Sequence, residues 1–329
     1  MNNIPLISVI IPVYNTREVI ERTLKSIENQ TFQNYQIILI DDGSTDGTGR
    51  FIDEYQKKNN KTMVFHQTNS GVSASRNKGI EKATGEFICF LDSDDTYAPT
   101  FFEKMLMRQQ ETNSNIVYCG FYRTRKNEKI KENCVFNEGN ILKSFLEKSF
   151  HISGMLFRKT FLIKNKIVFD ANLNVCEDIF FTIKAISCSD VVVVKEHLFN
   201  YLYRSQSVTN SIATIELFRK NIETWSHIQF FLNQNYNKQD HLQVKKIVQA
   251  IVVKLKVRLL IEYLKNYDYN RIRDYLNNDY SFTDSIKIAD INFLSKSDLK
   301  KLRIVKSNNL IKWFWGSLYY RYIRPESGK

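Results

Sequence analysis

The chain has 329 residues, with 47 Lys and Arg against 35 Asp and Glu for a net charge of +12, and 43% of its residues are hydrophobic. This length suits about two domains, while five cysteines without C-x-x-C spacing and five histidines without metal-ligand spacing exclude a disulfide scaffold and a zinc site. No apolar run approaches the roughly 20 residues that span a bilayer and no signal peptide opens the chain, so a cytoplasmic protein with reduced, mostly buried thiols is expected.

In chain order, Ile7-Ser-Val-Ile-Ile-Pro-Val-Tyr-Asn15 reads as a buried, β-branched strand closed by Pro12. Residues 17 to 30 carry Val19, Ile20, Leu24 and Ile27 on one helical stripe. A second apolar run, Tyr35 to Ile40, ends in Asp41-Asp-Gly-Ser-Thr-Asp-Gly47, and a polar helix follows. Ser70-Gly-Val-Ser-Ala-Ser-Arg-Asn-Lys-Gly79 reads as a glycine turn opening a third helix. The alternation of strand and helix predicts parallel pairing with right-handed crossovers. In such sheets ligands bind beyond the carboxyl ends of the strands, which brings Asp42 and Asp94 to one rim.

Phe87-Ile-Cys-Phe-Leu-Asp-Ser-Asp-Asp95 is the most informative stretch, an apolar strand that ends in three carboxylates within four positions. Period-two alternation places Asp92 and Asp94 on the same side. Clustered acids at a buried strand end are costly unless a positive group binds there. Mg²⁺ or Mn²⁺ carrying phosphates suits such a site, since these ions take one or two carboxylates plus substrate oxygens. The alternative is a solvated turn in which Asp94 and Asp95 cap a helix starting near Thr100.

Taken together, Pro12-Val-Tyr-Asn15, Asp41 to Gly47, Ser70 to Gly79, Leu91-Asp-Ser-Asp-Asp95 and Glu177-Asp178 occur in the order typical of family 2 glycosyltransferases, which the chain resembles over roughly residues 5 to 205. The resemblance implies a GT-A fold, an α/β architecture with a mainly parallel central sheet flanked by helices, here with a helical C-terminal extension. It also implies a nucleotide-sugar donor and inversion at the anomeric carbon. The expected domains are 1–210, catalytic, and 211–329, helical and basic.

Chemistry assigns each motif a task. A carboxylate at a strand end accepts the N3 hydrogen of uracil or thymine, and the resemblance gives this role to Asp42. UDP-sugars are favoured, with dTDP- and GDP-sugars left open. Tyr14 follows the first strand, where its ring can pack on the base. Arg76 carries a fork matched to phosphate, or else is an exposed helix arginine paired with Glu81 or Glu86. Pro12, Tyr14, Asn15, Asp42, Arg76, Asp92, Ser93, Glu177 and Arg204 are the expected substrate-binding residues, and Asp94 the metal ligand. Inversion needs a base on the acceptor hydroxyl and a neutralised diphosphate. Relatives place their base at the Asp of the E-D pair, so Asp178 is the expected base. Glu177-Asp178 opens a helix whose positive end favours carboxylates.

After Val191 to Val194, the segment Tyr201-Leu-Tyr-Arg204 resembles a Y-x-Y-R element that folds over the diphosphate in relatives. His197 is out of register for the histidine that many of them keep.

Residues 1–210 carry 26 Lys and Arg against 24 Asp and Glu, whereas 211–329 carry 21 against 11. Helices are expected over Ile212 to Gln234 and His241 to Lys265, with shorter ones following. Leu310 to Arg324 concentrates aromatic residues with Lys312, Arg321 and Arg324. Such a segment suits contact with an anionic membrane surface, which would place the enzyme on the inner face of the plasma membrane. Packing against the catalytic domain or a twin subunit is the alternative, which leaves a homo-oligomer open. No nucleic-acid module is recognised, and the excess charge lies away from the acidic rim. The activity that the resemblance implies is metal-dependent, inverting transfer from a UDP-sugar to a growing bacterial surface glycan, a lipid-linked oligosaccharide among the expected acceptors. A glycoprotein glycan or teichoic acid is the alternative acceptor, and a degenerate scaffold subunit is the alternative class.

Overall fold

The structure is a computed structural model that describes residues 6–125, 128–131, 136, 141–147, 150–173, 175–202, 215–278, 286 and 294–323. The chain divides into two compact units, Met1–Tyr203 and Arg204–Lys329. The boundary expected at residue 210 lies outside the described residues, as does Arg204.

In the first unit the strands are β1 (Ile7–Val13), β2 (Tyr35–Asp41), β3 (Thr62–His66), β4 (Phe87–Phe90), β5 (Thr96–Tyr97), β6 (Ile116–Arg125), β7 (Glu128–Lys131), β8 (Met155–Arg158) and β9 (Val191–Leu202). They form one sheet in the order β3-β2-β1-β4-β8-β6-β9-β5, with β7 on β6. The helices are α1 (Ile20–Glu28), α2 (Thr48–Lys58), α3 (Val72–Lys82), α4 (Phe101–Thr112), α5 (Leu142–Glu147), α6 (Lys159–Lys164) and α7 (Glu177–Cys188).

The first four strands are all parallel. Every residue of β2 and β4 is buried, which explains why their sequences show continuous apolar runs rather than alternation. Pro12 lies within β1 and does not close it, a correction to the sequence reading. The β4 side of the β1 ladder already ends at Ile10, opposite Phe90, so the proline withholds no sheet hydrogen bond there. Gly79 lets α3 approach the sheet, since a Cβ there would lie 2.2 Å from Cγ2 of Ile10.

Beyond β4 the sheet is mixed. β8 runs antiparallel to both β4 and β6, while β9 is parallel to β6. Two antiparallel steps restore the original direction, so β9 ends on the same rim as β4. By the same geometry β8 begins on that rim, which carries the residues just before it to the acidic turn. Among the described residues Cys89 and Cys119 are buried, Cys176 is half-buried and Cys188 is exposed, so two of these four thiols are enclosed, while Cys134 lies outside the described residues.

The second unit contains α8 (Ile215–Asn235), α9 (His241–Lys265), α10 (Tyr269–Asn278) and the helices Lys296–Lys306 and Leu310–Leu318. α9 is the hub, with α8, α10 and both later helices packed on it. Ala250, Val253, Val257, Leu260 and Leu264 of α9 meet Leu302, Val305 and Trp313 in one apolar core. Among the described residues no helix is long and apolar enough to cross a membrane.

Candidate functional site

The site grows from the loops at the carboxyl ends of β1, β2 and β4. After β1 the chain turns through Asn15 in the left-handed region, φ 49°. The Asn15 backbone N–H donates to Ser44 Oγ (3.0 Å), its side-chain oxygen accepts from Thr45 N–H (2.8 Å), and Arg17 N–H donates to Asp46 (3.0 Å). These bonds lace the β1 loop to the β2 loop, so Asn15 acts here as a loop organiser. Tyr14 at the apex is half exposed, its ring open to a ligand.

Asp42 is buried at 5% exposure and already accepts three hydrogen bonds. Oδ1 takes Gln67 Nε2 and Ser70 N–H, each at 2.8 Å, and Oδ2 takes Gly71 N–H at 2.8 Å. Gly71 sits at φ +88°, a conformation open to glycine, and it starts α3. A carboxylate offers about four acceptor positions, so Asp42 both pins the start of α3 and retains one position, on Oδ2, for an incoming donor.

α3 in turn delivers Arg76, which is 4% exposed. Its Nη2 donates to Asp92 Oδ1 (2.8 Å), its Nη1 donates to Glu177 Oε1 (3.0 Å), and Cζ lies 5.2 Å from the Phe169 ring centre. The alternative of an exposed arginine paired with Glu81 or Glu86 does not hold. Glu81 pairs with Lys82 and Glu86 with Arg158, while the guanidinium fork is taken up by protein carboxylates. Asn77 fixes the opposite wall, donating to Phe169 O (2.8 Å) and accepting from Phe169 N–H (2.9 Å). Phe169 stacks on Phe181 of α7 at 4.1 Å, which holds the start of α7 against α3.

The acidic turn after β4 is not a helix cap, and its last carboxylate is not solvated. Helix α4 has Thr100 as its N-cap without a side-chain cap bond, and Asp95 is 0% exposed. Thr23 Oγ1 donates to Ser93 O (2.9 Å) and Arg22 Nη2 to Asp94 O (2.6 Å), so α1 grips the turn by its backbone. Leu202 N–H donates to Asp95 Oδ1 (2.8 Å) because β5 pairs with the end of β9. Asp95 Oδ2 is buried without a hydrogen-bond partner.

His151 completes this cluster. Ligating atoms of Asp92, Asp95 and His151 all lie within 4.8 Å of one another, and Asp94 falls outside the group. Ser153 N–H donates to His151 Nδ1 (3.2 Å), which leaves Nε2 as the nitrogen available to a ligand. Two carboxylates, one with an orphaned oxygen, and an imidazole nitrogen suit Mn²⁺ or Mg²⁺.

Electrostatics separate the carboxylates. Burial acts to raise Asp92, but the Arg76 guanidinium and His151 beside it hold it below the usual carboxylate range. Burial, then the charges of Asp92 and Asp94, push Asp95 well up. Glu177 is raised by burial and by its neighbour Asp178. Burial also raises Asp178, against the pull of Arg76 and of the Ile179 N–H that its Oδ1 accepts at 2.8 Å. Burial lowers the His151 imidazole. A low carboxylate and a raised pair on one rim is the pattern expected where ion binding and proton transfer share a site.

Of the expected site residues, the fold joins Arg76, Asp92 and Glu177 directly and places Asp178 beside them. Ser93 and Asp94 stand on the same turn, while Pro12, Tyr14, Asn15 and Asp42 belong to the neighbouring loops. Sequence reasoning missed His151, Asp95 and Arg22. The two antiparallel steps through β8 bring His151 to the rim, and no local motif signals that.

The sequence profile of Glycosyl transferase family 2 matches residues 8–166. EpsJ of Bacillus subtilis, named as an uncharacterized glycosyltransferase, is 31% identical over 218 residues, 63% of this chain and 63% of EpsJ, so the chain spans just under two thirds of that relative. EpsH of the same organism, also bearing a glycosyltransferase name, is 30% identical over 276 residues, 79% of this chain and 78% of EpsH. The crystal structure of S. aureus TarS 1-349 in complex with UDP-GlcNAc has the same fold, with a TM-score of 0.66 at 18% identity over 98% of this chain and 93% of that one. The parallel β3-β2-β1-β4 core, the motifs on its rim and these relatives agree, and the chain belongs to family 2 of the glycosyltransferases.

Proposed function

We propose that this glycosyltransferase transfers a sugar, with inversion, from a UDP-sugar to a bacterial surface glycan. The observation that carries the proposal is the raised Asp178 carboxyl at the start of α7, set beside the Arg76–Asp92–Glu177 network. Asp178 takes the proton of the acceptor hydroxyl as that oxygen attacks the anomeric carbon, and its raised affinity for protons suits a general base. Glu177, tied to Arg76, positions Asp178 and the acceptor. Asp42 receives the base N3–H on its remaining acceptor position, and the ring of Tyr14 covers the base. The UDP-GlcNAc complex of TarS supports a UDP-sugar as donor. Arg204 is retained as a contact to the diphosphate.

A bound divalent cation would neutralise the leaving diphosphate. The resemblance puts it on Asp94, whereas the grouping of ligand atoms favours Asp92, Asp95 and His151. The enzyme is proposed to act in the cytoplasm at the inner membrane face, where a lipid-linked acceptor is presented. Contact with that surface is assigned to residues 310–329.

The test is a thermal-shift panel of UDP-, dTDP-, GDP- and CDP-sugars with and without Mn²⁺, on wild type, Asp94→Ala and His151→Ala. A ligand at a hundred times its dissociation constant adds about 2.7 kcal/mol of apparent stability. A Mn²⁺-dependent shift confined to UDP-sugars is expected, and the variant that loses it identifies the ion's ligands. No shift with any donor would sink the proposal in favour of a degenerate scaffold.

A further inference from the structure

The two last helices of the second unit meet at a specific crossing. Trp313 is fully buried, and its Nε1 donates to Ile304 O (3.1 Å) and Val305 O (3.2 Å) of the preceding helix. Gly316 permits the close approach, since a Cβ there would lie 3.1 Å from Ile304 Cγ2. Beside this crossing lies a groove of about 750 Å³, within the size range of ligand-binding clefts. Its aromatic lining is Trp315, Tyr319 and Tyr322, and its cations are Lys300, Arg303 and Lys312, all three exposed, with no acidic residue in the lining. Lys300 Nζ lies 4.8 Å from the Tyr319 ring centre, so one cation sits over one of these rings.

The apolar surface does not stop at the groove. Ile311, Trp315, Leu318 and Tyr322 recur at spacings of four, three and four, which puts them on one helical stripe. Ile311 is 70% exposed, Trp315 65% and Tyr322 65%, with Phe314 and Leu310 exposed beside them. A symmetric second copy placed on this stripe would bring the three cations of each chain together, which like-charge repulsion opposes. A ligand that is anionic at one end and aliphatic at the other satisfies both halves of the surface.

We propose that this groove is a docking site for an anionic phospholipid of a membrane surface. The phosphodiester is held among Lys300, Arg303 and Lys312, and the acyl chain lies against Trp315, Tyr319 and Tyr322. The exposed Ile311 and Phe314 enter the interfacial layer while the long cationic side chains reach the headgroups. This inference rests on the membrane contact proposed for residues 310–329 and gives it a ligand, while vesicle binding is read separately from the donor-dependent thermal shift, so failure of one leaves the other intact.

The experiment is vesicle co-sedimentation of the full chain with phosphatidylcholine vesicles, with and without a minority of phosphatidylglycerol. Intrinsic fluorescence provides a second readout, because of the three tryptophans Trp225 and Trp313 are buried and only Trp315 is exposed. Binding is expected only with phosphatidylglycerol and should weaken in high salt. The variant Lys300→Glu/Arg303→Glu/Lys312→Glu should partition at least tenfold less. A blue shift of tryptophan emission on adding vesicles should vanish in Trp315→Phe. Equal binding by the charge-reversed variant, or no binding by wild type, would overturn the proposal. So would self-association that is abolished by Trp315→Ala without vesicle binding, or binding to single-stranded nucleic acid in place of vesicles.

Discussion

The rim of the α/β unit and the basic face of the helical unit handle charge in opposite ways. On the rim the charges are buried or part-buried and answered by the protein itself, with Arg76 held between Asp92 and Glu177 and Asp42 accepting from three donors. On the helical unit Lys300, Arg303 and Lys312 stand in solvent beside exposed rings. The difference teaches that buried charge is a matter of positioning and exposed charge one of attraction. Removing a buried partner leaves an uncompensated ion, which is costly, whereas an exposed cation contributes little to folding.

The comparison can be broken at the rim first. Asp178→Asn should lower turnover by about 10²- to 10⁴-fold with donor binding retained, the scale of general-base loss. Because Asp178 is raised by burial, the wild-type rate should climb with pH to a midpoint above that of an ordinary aspartate. The pH profile of kcat checks this, and a profile unchanged in Asp178→Asn would remove Asp178 from the reaction.

Next, Arg76→Met should cost about 1–3 kcal/mol in urea unfolding, because the part-buried Asp92 and Glu177 lose the buried cation they share. Adding Glu177→Gln should recover part of that loss, since the residues form one network. Full additivity of the two changes would contradict the bridging geometry.

Asp42→Asn replaces an oxygen that accepts from the backbone with an amide that cannot, and should cost roughly 1–3 kcal/mol. It should also weaken any nucleotide-dependent thermal shift. Loss of the shift at unchanged stability would assign Asp42 to the ligand alone.

The smallest effect is expected at His66, whose Nε2 lies 2.9 Å from Asp53 and Nδ1 2.8 Å from Asp41. Hydrogen bonds to Asp53 and then Asp41 raise its imidazole above the ordinary value. A raised folded-state value means that the stabilisation is fully present below the unfolded value, about 6.5, and is lost as pH rises through the folded value. His66 is 47% exposed, so solvent screening limits this to a few tenths of a kcal/mol. His66→Gln should flatten the melting temperature between neutral and mildly acidic pH, and an unchanged slope would show that the pair carries no net energy.

Much of the first unit was legible because its information is local. The apolar runs of β1, β2 and β4 and the Asp that follows each of the latter two announce a parallel sheet with an acidic rim. Helix α9, expected over His241 to Lys265, occupies those residues. Arg76 could be singled out from its motif, but its partners Asp92 and Glu177 could not. A helix arginine finds Glu177 only after Asn77 has clamped Phe169 and α7 has been brought alongside, a contact across 101 residues. His151 was illegible for the same reason, and so was the division of the last aromatic segment into buried Trp313 and exposed Trp315.

By itself, the sequence determined which groups the protein brings to a strand end and with what chemistry, since alternation, turn residues and carboxylate spacing depend on neighbours a few positions apart. Only the tertiary structure decided which of those groups face each other. The antiparallel return of β8 and the bridge from Arg76 of α3 to Glu177 of α7 are long-range events, and the distances they impose determine which carboxylate stays low and which is raised.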